Sequence, residues 1–189
     1  AQCLVGSEMC IRDRSEADAA ASASEFQIEG STLTKYRGSD ERVTIPDTVE
    51  VVGESAFENN QKVQFVVVPK SVKRLDAYVF WGCNNLEEVV LGKGLTSVDE
   101  YAFSGCTGLK QITIPENVQS IDAQAFAGCT NLTDIYIPDT VTSIADDAFL
   151  NCDNVTIHAD EGSVAEKFAQ KLACLLYTSP SPRDTERSR

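Results

Sequence analysis

Apolar residues fall in fixed columns along this chain. Phe57, Phe80, Phe103, Phe126 and Phe149 stand 23 residues apart. Pro46, Pro69, Pro115 and Pro138 follow the same interval, with Gly92 in the remaining slot, and so do Cys83, Cys106, Cys129 and Cys152. A period in the twenties means a solenoid, in which one short coil recurs and buries its apolar face only by stacking on its neighbours.

The coil from Leu109 shows the local grammar. Ile112 and Ile114 alternate, the period of a strand. Pro115 has no backbone donor and ends it. Val118 and Ile121 lead into a helix-like turn closed by Ala125 and Phe126, at helical spacing. Gly105 and Gly128 precede their Cys where a chain reversal needs positive φ. Asp76, Asp99 and Asp122 stand where a carboxylate can cap free N–H groups, a structural role rather than a Ca²⁺ site.

The other coils repeat this. The leading column is Val63, Leu86, Leu109, Leu132 and Val155; the first strand column is Val43, Val66, Val89, Ile112 and Ile135. Stacked in register at about 4.8 Å per coil, five coils give an array roughly 25 Å long. The predicted architecture is an α/β solenoid, with a parallel sheet on one face and short helices and turns on the other. Each stacked Phe contributes about 1.5–3 kcal/mol through burial.

Such an array needs caps. Residues 25–42 are expected to form the N-terminal one, with a hairpin from Phe26 and Ile28 through a Gly30-Ser31 turn to Leu33. The array proper runs over 43–157. His158 falls 23 residues after Ile135, where an apolar strand residue is expected, which marks the end of the array. A capping helix follows within 158–173, with Ser163 and Glu166 as a capping box and Val164, Ala165, Phe168, Ala169 and Leu172 as its apolar stripe. Residues 15–24 read as a flexible or weakly helical linker. Within it, Ala21-Ser22-Ala23 has the small-x-small look of a signal-peptidase site, without an apolar segment before it.

The repeat LxxIxIPxxVxxIxxxAFxxCxxL resembles the BspA-like leucine-rich repeat of bacterial surface proteins, over about residues 25–172. Asn59-Asn60 in place of Gly-Cys, and Gly92 in place of Pro, are the departures. The resemblance implies a right-handed leucine-rich-repeat coil. It further implies a cell-surface or secreted module that adheres to or binds a protein or glycan on host or neighbouring cells. Residues 1–14 and 174–189 lack the period and resemble translated sequencing-adapter read-through. They are set aside, and on that reading the natural chain extends beyond both ends.

Charge narrows the partner. The 189 residues carry a formal net charge of −13; 1–14 balance and 174–189 hold three Arg against two acids, so 15–173 carries −14. This argues against nucleic acid and anionic membranes, and it favours a soluble monomer. No apolar run reaches the ~18 residues of a membrane helix.

Candidate chemistry is sparse. A stacked column sets four sulfurs in a line, whereas zinc wants convergent ligands. Buried free thiols acting as small apolar residues are the favoured reading, with neighbour disulfides and a metal as the alternatives. His158, the single histidine, has no nucleophile turn beside it. Glu87-Glu88, Asp99-Glu100 and Asp146-Asp147 are adjacent on exposed coils, while a glycosidase pair must face across a cleft. No phosphate-binding glycine loop occurs. The expectation is a non-enzymatic protein without cofactor or metal.

Outward strand positions are the candidates for partner binding. One column reads Thr44, Val67, Val90, Thr113 and Tyr136, and the one before it Phe65, Glu88, Gln111 and Asp134. Phe65, Val67 and Val90 would form an apolar patch, with Tyr136 further along; ordinary β-propensity also favours these residues. Trp81, beside Tyr78 and near Tyr101, stands in a column otherwise of Glu58, Ser104, Ala127 and Leu150. It is either an anchor or a cover between coils. The competing function is a structural spacer within a larger surface protein.

Overall fold

The computed structural model describes residues 23–171. The two terminal segments set aside above, the linker up to residue 22 and Leu172 lie outside the described residues. A 3₁₀ turn at Ala23–Glu25 opens into an antiparallel hairpin, β1 (Phe26–Glu29) and β2 (Thr32–Tyr36). Gly30 stands at its tip with φ +63°, as the Gly-Ser turn requires.

Each coil then has three walls. The first is a six-stranded parallel sheet of β3 (Arg42–Thr44), β5 (Phe65–Val67), β7 (Glu88–Val90), β9 (Gln111–Thr113), β11 (Asp134–Ile137) and β13 (Thr156–Ala159). The second is a narrower parallel ladder of β4 (Val51–Val52), β6 (Arg74–Leu75), β8 (Ser97–Val98), β10 (Ser120–Ile121) and β12 (Ser143–Ile144). The hairpin extends it through β2 to seven strands. The third is a wall of six-residue turns at 54–59, 77–82, 100–105, 123–128 and 146–151.

The third wall is where turns and short helices were expected, and it is built of turns alone. Alternate N–H groups donate to the next coil, and those between them donate three residues back within their own, as Glu58 does to Ser55 O at 3.2 Å. The amide of Phe57 reaches Val79 O at 2.9 Å, Phe80 reaches Ala102 O at 2.8 Å, and Phe103 reaches Ala125 O at 2.8 Å. The second residue of the first four turns also has positive φ, at Ser55, Tyr78, Tyr101 and Gln124. A left-handed residue cannot continue a right-handed helix. The spacing of Ala125 and Phe126 set a turn, and the inter-coil bonds decided which kind. A second positive-φ column falls on Gly105 and Gly128, at 75° and 71°, as their position before Cys predicts.

The five phenylalanines stack in one column, with centroids 5.0 to 5.3 Å apart. The caps complete it. Tyr36 stacks on Phe57 at 5.0 Å and Phe26 on Tyr36 at 5.1 Å, while Phe168 closes the far end against Phe149 at 5.8 Å. Offset ring pairs of this kind add about 0.5–1.5 kcal/mol each beyond burial. Beside the rings the four thiols are buried and free. Each donates to a phenylalanine carbonyl: Cys83 to Phe57, Cys106 to Phe80, Cys129 to Phe103 and Cys152 to Phe126, at 2.9 to 3.2 Å. They are more than small apolar residues, because each ties its coil to the backbone of the one before.

Gly92 and Gly94 have a steric reason. A side chain on Gly94 would lie 2.1 Å from Lys70 O, and one on Gly92 would lie 2.4 Å from Pro69 O. The chain closes with α1 (Val164–Lys171). Ser163 Oγ accepts from Glu166 N at 3.1 Å, and Glu166 Oε2 accepts from Gly162 N at 2.6 Å. Ala165, Phe168 and Ala169 are buried, but Val164 faces out.

Candidate functional site

Every strand of the six-stranded sheet turns its middle residue inward. Val43, Val66, Val89, Ile112, Ile135 and Ile157 are all buried, so the flanking residues point out. Phe65, Val67 and Val90 lie on neighbouring strands, with Val67 directly beside Val90 in register. All three are half-buried. The guanidinium of Arg42 covers the Phe65 ring at 4.6 Å from its centroid, which removes part of that ring from the surface. Tyr136 is 46% exposed and the most open aromatic of this face. Two strands, β7 and β9, separate β11 from β5. The face therefore holds an apolar patch at one end and an aromatic site at the other.

The aromatic site contains a residue that the period misplaced. Ile157, not His158, aligns with Ile135, and His158 sits outward beside Tyr136. The last coil is one residue shorter. Leu132 precedes its strand residue Ile135 by three positions and Val155 precedes Ile157 by two, a contraction visible in the sequence. The His158 ring stacks on Tyr136 at 4.3 Å and 11°. Its Nε2 lies 2.8 Å from Asp134 Oδ1. That bond holds the Asp134 carboxyl below the usual carboxylate range. Asp134, Tyr136 and His158 thus form a polar-edged aromatic platform on β11 and β13.

Trp81 stands elsewhere, on the turn wall, and is 38% exposed. It meets Tyr78 edge to face at 6.5 Å, and Tyr78 stacks on Tyr101 at 4.8 Å and 6°. Nothing in their sequence positions signals that Tyr78 and Tyr101 adopt positive φ, since Ser55 and Gln124 share the column.

The carboxylates are dispersed. Lys110 Nζ meets Glu87 Oε2 at 2.7 Å, and Lys171 Nζ meets Asp146 Oδ1 at 2.6 Å. Asp76 and Asp99 take side-chain partners, Arg74 and Ser97, instead of capping backbone amides. Burial pushes the Asp99 carboxyl up, against the bond from Ser97. The sulfurs run in line, and burial pushes the Cys83 thiol up to about 12. Among the described residues no three His, Cys, Asp or Glu side chains converge as metal ligands, and no helix is long and apolar enough to cross a membrane.

This geometry has solved counterparts. A leucine-rich cell surface protein of Faecalibacterium prausnitzii A2-165 is 31% identical with a TM-score of 0.67; the match covers 78% of this chain and 38% of that one. A leucine-rich repeat protein of T. pallidum is 27% identical with a TM-score of 0.71, covering 75% and 71%. One from Bacteroides ovatus ATCC 8483 is 29% identical with a TM-score of 0.61, covering 72% and 37%. This chain thus spans under half the length of the first and third. Among curated proteins none matches. The model of the BspA-type leucine-rich repeat region matches residues 31–156 in six copies, and the chain belongs to that family.

Proposed function

We propose that this chain is a non-enzymatic binding module of a bacterial cell-surface or secreted protein. The outward face of its six-stranded sheet contacts a protein or glycan partner on host or neighbouring cells. One observation carries the reading. The inward strand column is uniformly Val or Ile, while the outward column changes from Thr44 through Val67 and Val90 to Tyr136 and His158. Packing constrains the first column; the second is free to be shaped by a partner. The surface location is supported by the cell surface protein that shares the fold at 31% identity.

The non-enzymatic reading is supported by where the thiols lie: all four are buried and donate to phenylalanine carbonyls on the ring column, away from His158 on the outer face of the sheet.

The test is adhesion of the purified chain to host matrix proteins and to bacterial cells. Phe65→Ser and Tyr136→Ser should keep the circular dichroism of the parent and lose adhesion. Full adhesion by both variants removes the sheet face from the account. The spacer reading draws support from the 38% share of the Faecalibacterium protein that the match spans. On that reading the isolated chain binds none of these surfaces.

A further inference from the structure

The turn wall carries a second surface of different chemistry. Its five turns contain no Lys or Arg, but do contain Glu54, Glu58, Glu100, Asp146 and Asp147. Beside its middle, Arg74 is paired with Asp76, and two lysines reach its ends. Lys35 Nζ donates to Ser55 O at 2.8 Å, and Lys171 pairs with Asp146. At its middle stand Trp81 and Tyr101, each in ring contact with Tyr78 between them, with Glu58 in the coil before and Glu100 next to Tyr101.

The fold does not ask for aromatics here. Positive φ disfavours any side chain by about 1–2 kcal/mol, and Ser55 and Gln124 satisfy the same turn in neighbouring coils. Trp81 likewise takes a position that Ser104, Ala127 and Leu150 fill elsewhere. Three rings with acids beside them, and with the neighbouring base Arg74 already paired to Asp76, match a cation in two ways. The ring faces attract it through their quadrupoles, and the carboxylates attract it by charge. The chain itself shows the first contact on its other face, where Arg42 lies over Phe65 at 4.6 Å. A net charge of −13 steers such a ligand inward.

We infer that the turn wall around Tyr78, Trp81 and Tyr101 is a docking site for a basic, Arg- or Lys-bearing peptide segment of a partner protein. Its occupancy does not depend on the sheet face.

Trp81 is the sole tryptophan, so its fluorescence reports on this site directly. The probe is a blocked tetra-arginine peptide titrated at low ionic strength, where exposed charge acts furthest. The controls are blocked tetraglutamate and cellotetraose. Tetra-arginine should give a saturable change in Trp81 emission, and the controls none. Glu58→Gln with Glu100→Gln should weaken binding about tenfold, the sum of two exposed charge contacts. Glu88→Gln and Tyr136→Ser, on the sheet face, should leave it unchanged. The inference fails if emission is indifferent to tetra-arginine, or if Glu88→Gln weakens binding as much as the double variant. It also fails if cellotetraose shifts the emission, which would assign the platform to a glycan. Calorimetry with Trp81→Ala should show the same loss as the double variant, since ring and carboxylates hold the same cation.

Discussion

On β11, Ile135 and Tyr136 are chain neighbours in opposite circumstances. Ile135 is fully buried between Ile112 and Ile157, while Tyr136 is 46% exposed between Thr113 and His158. The inner ladder repeats a β-branched aliphatic residue, Val or Ile, at every step, because each step meets neighbours of the same kind at the same spacing. The outer ladder has no such demand from the fold. Residue identity therefore carries architecture on one side of the sheet, and on the other it is the part that the proposed function assigns to recognition.

The strongest way to break this contrast is from the inside. Phe103→Ala removes the central ring of the column and should cost about 3–5 kcal/mol, read as a fall in the urea midpoint. Tyr36→Ala, at the hairpin end of the column, should cost less than the central ring, because it has fewer coils to support. Gly94→Ala should follow, at about 1–3 kcal/mol, since its side chain would strike the Lys70 carbonyl.

A subtler lever is pH. Burial holds the Cys83 thiol and the Tyr36 phenol, ordinarily 9.0 and 10.0, at about 12 in the folded chain. The unfolded chain ionises them earlier, so stability is full below pH 9 and declines as pH rises toward 12. Urea midpoints from pH 7 to about 11 should show the decline, and Cys83→Ala should lessen it. Tyr36 and Cys106, which burial also raises, and Cys129, raised by its neighbour Cys152 and by burial, supply the rest.

Much of this was legible in the sequence. A period of 23 placed the phenylalanines, the two strand columns and the buried cysteines because the same packing problem recurs in each coil. The hairpin was legible from Gly30, and the helix start from Ser163 and Glu166. What was hidden depends on neighbouring coils. Tyr36, Phe26 and Phe168 join the ring column from outside the period. The turn wall is settled by N–H groups donating to residues more than twenty positions away, which local spacing cannot show. His158 moved to the outer face because the final coil dropped one residue. The sheet-face candidates Phe65, Val67 and Val90 come together, whereas Trp81 belongs to a separate wall.

One comparison tests the account most directly: the urea midpoints of Ile135→Thr and Tyr136→Thr, adjacent changes on a single strand. The first buries a hydroxyl and removes a methyl group from the core, and should lose about 2 kcal/mol or more. The second should stay within about 0.5 kcal/mol of the parent. Equal losses at the two positions would mean that the outer ladder holds the coil together too, and that it is not free for a partner.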